Sequence, residues 1–266
     1  MPEHASTRKP VASPPASRRF SDAARDYDHH ARVQKHAALH LVQWLEQMLP
    51  AEFAPKACVD VGSGTGFLTE HLLTKFPNSA VHAVDLAQGM LTELKRKYPT
   101  ERLHTHQLNG EELAVEHLWI PNHSLLISGM CAQWFNNLEE AIRRWLSVSN
   151  TVAFSVLLDG SFQAWETAHE DTNQESGLRR LPCDDDLQDM LHTLVAEGIA
   201  ASTAHHTKDF LDHHPDGLSF ARSLRAIGAD QPRVNHKPVN LRKVISALGE
   251  GCTMNYHIGF YYLERP

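Results

Sequence analysis

Residues 58–66 read Cys58-Val59-Asp60-Val61-Gly62-Ser63-Gly64-Thr65-Gly66, an apolar strand that runs into an acid and then into three glycines at alternate positions. A helix-like run, Phe67 to Leu73, follows at once. Glycine is needed where a chain turns tightly and where its backbone must touch a ligand with no Cβ in the way. The segment therefore predicts a strand-to-helix turn that offers backbone N–H groups to a cofactor. Its spacing is not that of the dinucleotide fingerprint G-x-G-x-x-G: Gly66 lies two residues after Gly64, and Phe67 fills the third glycine's place. Such a turn also occurs in other α/β proteins. However, Ala80-Val81-His82-Ala83-Val84-Asp85 reads as a second short buried strand ending in an acid. It follows at the distance where α/β cofactor sites place the carboxylate that bonds ribose hydroxyls.

The rest of the chain continues the alternation. Apolar periodicity predicts strands over 57–61, 80–85, 103–107, 125–128 and 151–158, with helices over 66–75, 88–97 and 137–146. This rhythm implies a mostly parallel sheet covered by helices on both faces. In such sheets ligands lie outside the carboxyl ends of the strands, where Asp60, Asp85, Asn109 and Ser128 fall. Residues 160–198 and 215–250 read as mostly helical. A strand near 201–211 and a last strand from Thr253 to Leu263 close the sheet. Phe20 to Leu49 is a further helical region ended by Pro50. The expected division is a disordered tail over 1–17, an N-terminal helical lid over 18–50 and a cofactor-binding α/β core over 51–160. The remainder of the core, with helical lid insertions, spans 161–250, and the last strand lies within 251–266. Insertions at these places are natural lids over a strand-end site.

Composition excludes several classes. With 266 residues, 42% hydrophobic and 21% charged, the chain can bury a full core. A formal charge of −7 argues against a nucleic-acid scaffold, and no apolar run reaches the roughly 20 residues that span a bilayer. Met1 to Ser17 has no apolar core of the kind a signal peptide carries, so a cytoplasmic protein is expected. Cys58, Cys131, Cys183 and Cys252 are scattered singly, which indicates neither a zinc ribbon nor a disulfide framework. The 19 histidines include His36 and His40 on one helix face, but no Glu or Asp completes a metal motif there, and no metal is expected. The triplet Asp184-Asp185-Asp186 reads as a capping or solvated run.

The motif D-x-G-x-G-x-G at Asp60 to Gly66 resembles motif I of class I S-adenosylmethionine-dependent methyltransferases. Other segments resemble one family among them, the malonyl-acyl-carrier-protein O-methyltransferases of biotin synthesis, or BioC family. Phe20-Ser21-Asp22-Ala23-Ala24-Arg25-Asp26-Tyr27 is similar to its F-x-x-A-A-x-x-Y segment, with Gln34 at the matching distance. Ser128-Gly129-Met130-Cys131-Ala132-Gln133-Trp134 is similar to S-N-L-A-L-Q-W. Leu158 to Phe162 resembles the turn after strand five, and Arg222 to Ala229 resembles R-S-L-K-x-I-G-A. Tyr256-His257 sits where the last strand carries a similar pair. The likeness runs from residue 20 to the last strand. Three positions depart from it. Gly129 replaces Asn, Asn109-Gly110-Glu111 replaces D-x-E, and Ser176 to Pro182 lacks the H-x-N before R-F-L-P.

The resemblance implies a Rossmann-like methyltransferase fold whose last strand is antiparallel, with S-adenosylmethionine held by Asp60, Gly62, Ser63, Gly64, Gly66, Asp85, Leu86, Asn109, Gly110, Ser128 and Gln34. It implies methylation of the free carboxylate of a malonyl thioester, with an acyl carrier protein as partner and a monomeric enzyme. Arg222 is expected to hold that carboxylate, and Tyr27 and Trp134 to wall the site. Without the resemblance, Arg222 reads as a solvated helix charge and the two aromatics as packed core residues. Arg222, Arg225, Arg233, Lys237, Arg242 and Lys243 make the late lid the most basic region, suited to an acidic carrier protein. A methyltransferase acting on another small molecule, which would need a base such as His near the site, is an alternative. So is a non-catalytic cofactor-binding protein.

Overall fold

The computed structural model describes residues 15–114, 117, 118, 124–233 and 235–266. Seven strands form one sheet: β1 Ala57–Val61, β2 Ala80–Asp85, β3 Leu103–Gln107, β4 Ser124–Gly129, β5 Thr151–Leu157, β6 Ser202–His213 and β7 Thr253–Glu264. Their order is β3-β2-β1-β4-β5-β7-β6. β7 pairs antiparallel with both β5 and β6, and the other pairings are parallel. The chain leaves β1 toward β2 and β3, then crosses back to place β4 on the other side of β1. This is the reversal point at which open α/β sheets bind ligands. Register sets the strand ends level there, with Val61 opposite both Val84 and Ser128.

Side chains of successive strand residues alternate between faces, and the core divides accordingly. Cys58, Leu125, Ile127, Ala153 and Ile258 belong to one apolar cluster, while Val59, Val61, Leu126, Phe154 and Leu263 belong to the other. The first cluster includes Ala37, Leu41 and Leu45 of α3 (Arg32–Met48) and Leu68 and Leu72 of α4 (Phe67–Lys75). The second includes Ile142, Trp145 and Leu146 of α6 (Leu138–Val148) and Leu187, Leu191 and Leu194 of α8 (Asp184–Ala196). Strands apolar on both faces are what a helix-covered parallel sheet requires. The acidic triplet Asp184 to Asp186 forms the first turn of α8, where negative charge meets the positive end of the helix dipole.

Three differences from the sequence expectations concern the lids. Helix α1 (Pro15–Ala23) begins inside the segment expected as a tail, while residues 1–14 lie outside those described. The helical region 160–198 is two helices, α7 (Gln163–Asp171) and α8, with an irregular stretch over 172–183. The region 215–250 likewise divides into α9 (Gly217–Ala226) and α10 (Leu241–Leu248). Helix α9 ends where Gly228 takes a φ of +78°, in the left-handed region. The two irregular stretches meet, because the Arg233 N–H donates to the Gly177 carbonyl at 2.8 Å.

The N-terminal helices close over the carboxyl edge of the sheet at two glycines. A Cβ at Gly89, in α5 (Gln88–Lys97), would lie 2.3 Å from the Ser21 carbonyl oxygen, and one at Gly228 2.8 Å from the Arg19 backbone. Only residues without side chains let α1 lie this close. Among the described residues, no helix is long and apolar enough to cross a membrane.

Candidate active site

Gly62, Gly64 and Gly66 all adopt positive φ, at +69°, +53° and +105°. A Cβ at Gly62 would fall 2.3 Å from Cys131 Sγ and one at Gly66 2.6 Å from Leu94 Cδ1, whereas Gly64 faces open space. Gly62 and Ser63 donate their N–H groups to the Val84 carbonyl at 2.8 and 3.1 Å, which fastens the turn to the end of β2. Thus two glycines let the turn pack, and the middle one leaves its backbone accessible.

Two carboxylates flank this turn. Asp60 is fully buried, and its Oδ2 accepts from Thr69 Oγ1 at 2.6 Å. Its Oδ1 has no partner, and desolvation pushes its pKa up to about 7. Asp85 is half-buried and accepts the Gly64 N–H and the Ala87 N–H, each at 2.8 Å. Both of its oxygens keep a lone pair for a further donor. Burial raises its pKa, while these N–H groups pull in the opposite direction. Besides Asp60 Oδ1, the Ser63 hydroxyl and Gln133 Oε1 are buried without a partner. Buried polar atoms are nearly always bonded, so this set fits a cofactor with an ammonium at one end and ribose hydroxyls nearby.

The remaining expected cofactor residues divide. Asn109 Oδ1 accepts from the Glu111 N–H at 3.2 Å, and the Gly110 carbonyl accepts from Trp145 Nε1 at 2.8 Å. A Cβ at Gly110 would lie 2.3 Å from Val61, so this turn sits against the end of β1. Leu86 is half-buried beside Asp85, and its carbonyl accepts from Gln107 at 3.3 Å. Ser128 is fully buried, and its hydroxyl donates to the Val61 carbonyl at 2.8 Å. It ties β4 to β1 and supports the site from behind instead of facing a ligand. Gln34 lines the adjoining cavity.

That cavity, about 110 Å³, is several times the roughly 10–15 Å³ one water needs. It is walled mainly by apolar and aromatic residues from both lids and the core, among them Phe20, Tyr27, Trp134, Phe162, Leu224 and Tyr256. Phe20 packs edge-on to Trp134 with centroids 5.4 Å apart, and Tyr27 lies 6.1 Å from Phe67 at the start of α4. Tyr27 joins cavity and turn: burial, Asp85 and Asp28 keep its phenol protonated. Its helix α2 (Tyr27–His30) is latched to the turn, because Asp28 accepts from the Thr65 hydroxyl and from Lys97 Nζ. Lys97 Nζ lies 2.5 Å from Asp28 and also donates to the Thr65 carbonyl at 2.8 Å.

The expected carboxylate holder is not in this cavity. Arg222 is exposed on α9 and is absent from the cavity lining; its charge helps to lower the pKa of Asp216, at the start of that helix. The helix turns that residue outward while Leu224, two positions on, faces inward. The cation that lines the cavity is Arg179, its Cζ 5.3 Å from the Trp134 ring. In the sequence, Arg179 stands in the Arg179-Arg180-Leu181-Pro182 segment with no signal for a role, because no helical or strand period there sets its direction. The Asp28–Lys97 latch joins two elements far apart in sequence and carried no local signal.

Elsewhere, His40 Nε2 and His206 Nε2 lie 2.9 Å apart, and burial, followed by the Lys208 charge, lowers the pKa of both rings. Among the described residues, no group of three His, Cys, Asp or Glu is placed to hold a metal ion.

Residues 58–151 match the family model described as a methyltransferase domain. A malonyl-[acyl-carrier protein] O-methyltransferase of Magnetococcus marinus is 30% identical over 264 residues, covering 91% of this chain and 92% of the relative. A biotin biosynthesis bifunctional protein, BioCD, of Bordetella avium is 27% identical over 94% of this chain, which spans 52% of that longer protein. Another malonyl-[acyl-carrier protein] O-methyltransferase, from Priestia megaterium, is 34% identical over 60% of this chain and 58% of its own length. Among solved structures, the YcgJ protein of Bacillus subtilis superposes with a TM-score of 0.56 at 12% identity, covering 85% of this chain and 99% of the other. The magnesium protoporphyrin IX methyltransferase of Synechocystis, solved with S-adenosylhomocysteine, gives 0.53 at 10% identity over 91% and 86%. At such identities these two likenesses concern the fold.

Proposed function

The chain belongs to the malonyl-acyl-carrier-protein O-methyltransferase family, and from that premise we propose that it methylates the free carboxylate of a malonyl thioester carried on an acyl carrier protein, with S-adenosylmethionine as donor. The observation that carries this reading is the apolar cavity joined through Tyr27 to the glycine turn. When bound, S-adenosylmethionine supplies an electrophilic methyl group on a sulfonium. In this reading Asp60 would face its ammonium, Asp85 would accept its ribose hydroxyls, and the Asn109–Gly110 turn would hold its adenine.

The protein's own task is then alignment and exclusion of water. Phe20, Trp134 and Phe162 keep the cavity dry, and the protonated Tyr27 offers a hydrogen-bond donor where cavity and turn meet. Among the described residues lining the cavity there is no His, Asp or Glu, so no general base faces it. A phenol or amine acceptor would need one near neutral pH, whereas a carboxylate is already ionised. The exposed cations Arg222, Lys237, Arg242 and Lys243 form no ion pair among the described residues and offer an acidic carrier protein a docking face.

The test is transfer of labelled methyl from S-adenosylmethionine to malonyl-carrier protein, with acetyl-carrier protein and free phenolic acceptors alongside. Methylation of the malonyl thioester alone is expected. Methylation of a phenolic acceptor in its place would overturn the assignment.

A further inference from the structure

We propose that Arg179 is the residue that holds the substrate's free carboxylate in the cavity and thereby selects an acid-bearing acyl group over a neutral one. The proposal rests on the reaction assigned above and deepens it. Arg179 is the one charged side chain among the described residues lining the cavity. The residue is half-buried, and its guanidinium carbon lies over Trp134, 5.3 Å from the ring centroid, a cation–π contact that holds the head group at the cavity wall. Arg32 pairs with Asp212, Arg19 and Arg225 with Asp230, and Arg233 with Glu175, while the unpaired Arg222 and Arg242 are exposed and do not line the cavity. Arg179 has none among the described residues. A guanidinium facing an apolar wall without a counter-charge is unfavourable, and an incoming carboxylate can bond it bidentately.

The segment that presents Arg179 is held in place. Two residues before it, Gly177 accepts the Arg233 N–H at 2.8 Å, and a Cβ there would lie 3.0 Å from Pro232. Ser176 Oγ donates to Glu166 of α7 at 2.7 Å, and Leu178 and Leu181 pack against the core. The cation is thus placed by two lid stretches that touch each other, and its position depends on both.

Arg179→Gln and Arg179→Lys are compared with the parent protein. The readouts are kcat and KM for malonyl-carrier protein, and equilibrium binding, with S-adenosylhomocysteine present, of malonyl-carrier protein against its methyl ester. The Gln variant is expected to lose about a hundredfold in kcat/KM, mostly through KM, as loss of a charged hydrogen bond predicts. It should also lose the parent's preference for the acid over the ester. The Lys variant should recover part of both, and S-adenosylhomocysteine affinity should stay within about twofold in all three proteins. A Gln variant that works within twofold of the parent overturns the proposal, as does one whose cofactor affinity falls in step with its activity. A parent that binds the acid better than the ester but methylates neither would sink the reaction assigned above and leave this assignment standing.

Discussion

Asp60 carries a burial penalty that the ammonium of the proposed cofactor would relieve. Its carboxyl ionises near 3.8 in an unfolded chain and near 7 in the fold. The penalty on the folded state is therefore absent below about pH 4, grows as the pH rises, and is complete above about 7. Asp60→Asn keeps an acceptor for Thr69 and removes the charge. Melting of the cofactor-free protein at pH 8 should then show a gain on the order of 2–4 kcal/mol that vanishes near pH 4. Calorimetry at pH 8 should show the same variant binding S-adenosylmethionine at least tenfold more weakly, because the ammonium loses its counter-charge. For the parent protein, affinity should fall as the pH drops below 7. A substitution that lowers both melting temperature and affinity equally would mean that Asp60 is only a structural residue. Asp60, Asp85 and the glycines were readable as a set because their spacing encodes a local turn. Ser128 shows the limit: a strand-end position does not say whether a hydroxyl turns to a ligand or, as here, to the neighbouring strand's carbonyl.

At the level of elements, the N-terminal lid is held by few contacts. Asp28 and Lys97 form a partly exposed pair, with side-chain exposures of 42% and 22%, and such pairs contribute about 1 kcal/mol or less to stability. Lys97→Met should accordingly lower the melting temperature by only a few degrees. Its larger effect should be on retention, because Lys97 and Asp28 hold α2 against the turn at Thr65. Stopped-flow release of S-adenosylhomocysteine should accelerate several-fold, and an unchanged release rate would show that α2 does not gate the turn. Most strands and core helices were legible because their apolar periodicity is strong: β1, β2 and helix α5 begin and end where the pattern places them. The breaks over 172–183, 227–233 and 235–240 were not. Neither connection carries an apolar period that marks where its helix ends, and their paths are fixed by tertiary contact: Gly177 against Pro232, and Gly228 against the backbone of α1. The second of these gives a physical reason for the Ile227-Gly228-Ala229 segment, since any side chain at its centre would push the lid away.

Across the whole molecule, a net charge of −7 opposes an acidic partner, so docking must rely on a local surface. Arg242 and Lys243 are exposed on α10, away from the cavity lining. Arg242→Glu together with Lys243→Glu should raise KM for malonyl-carrier protein roughly tenfold while leaving kcat nearly constant, and added salt should narrow the difference from the parent. An equal KM at low salt would place the carrier elsewhere. The sheet, its glycine turn and the two acids that flank it are written in local sequence, because a periodic pattern and a turn are properties of neighbouring residues. The sequence also carried the resemblance that brought Tyr27, Trp134 and Gln133 into one argument. Which cation enters the cavity is settled by packing between distant segments. On α9 a rotation of two residues separates the outward Arg222 from the inward Leu224, and Arg179 lies on an irregular stretch whose direction is set by contacts with distant parts of the chain.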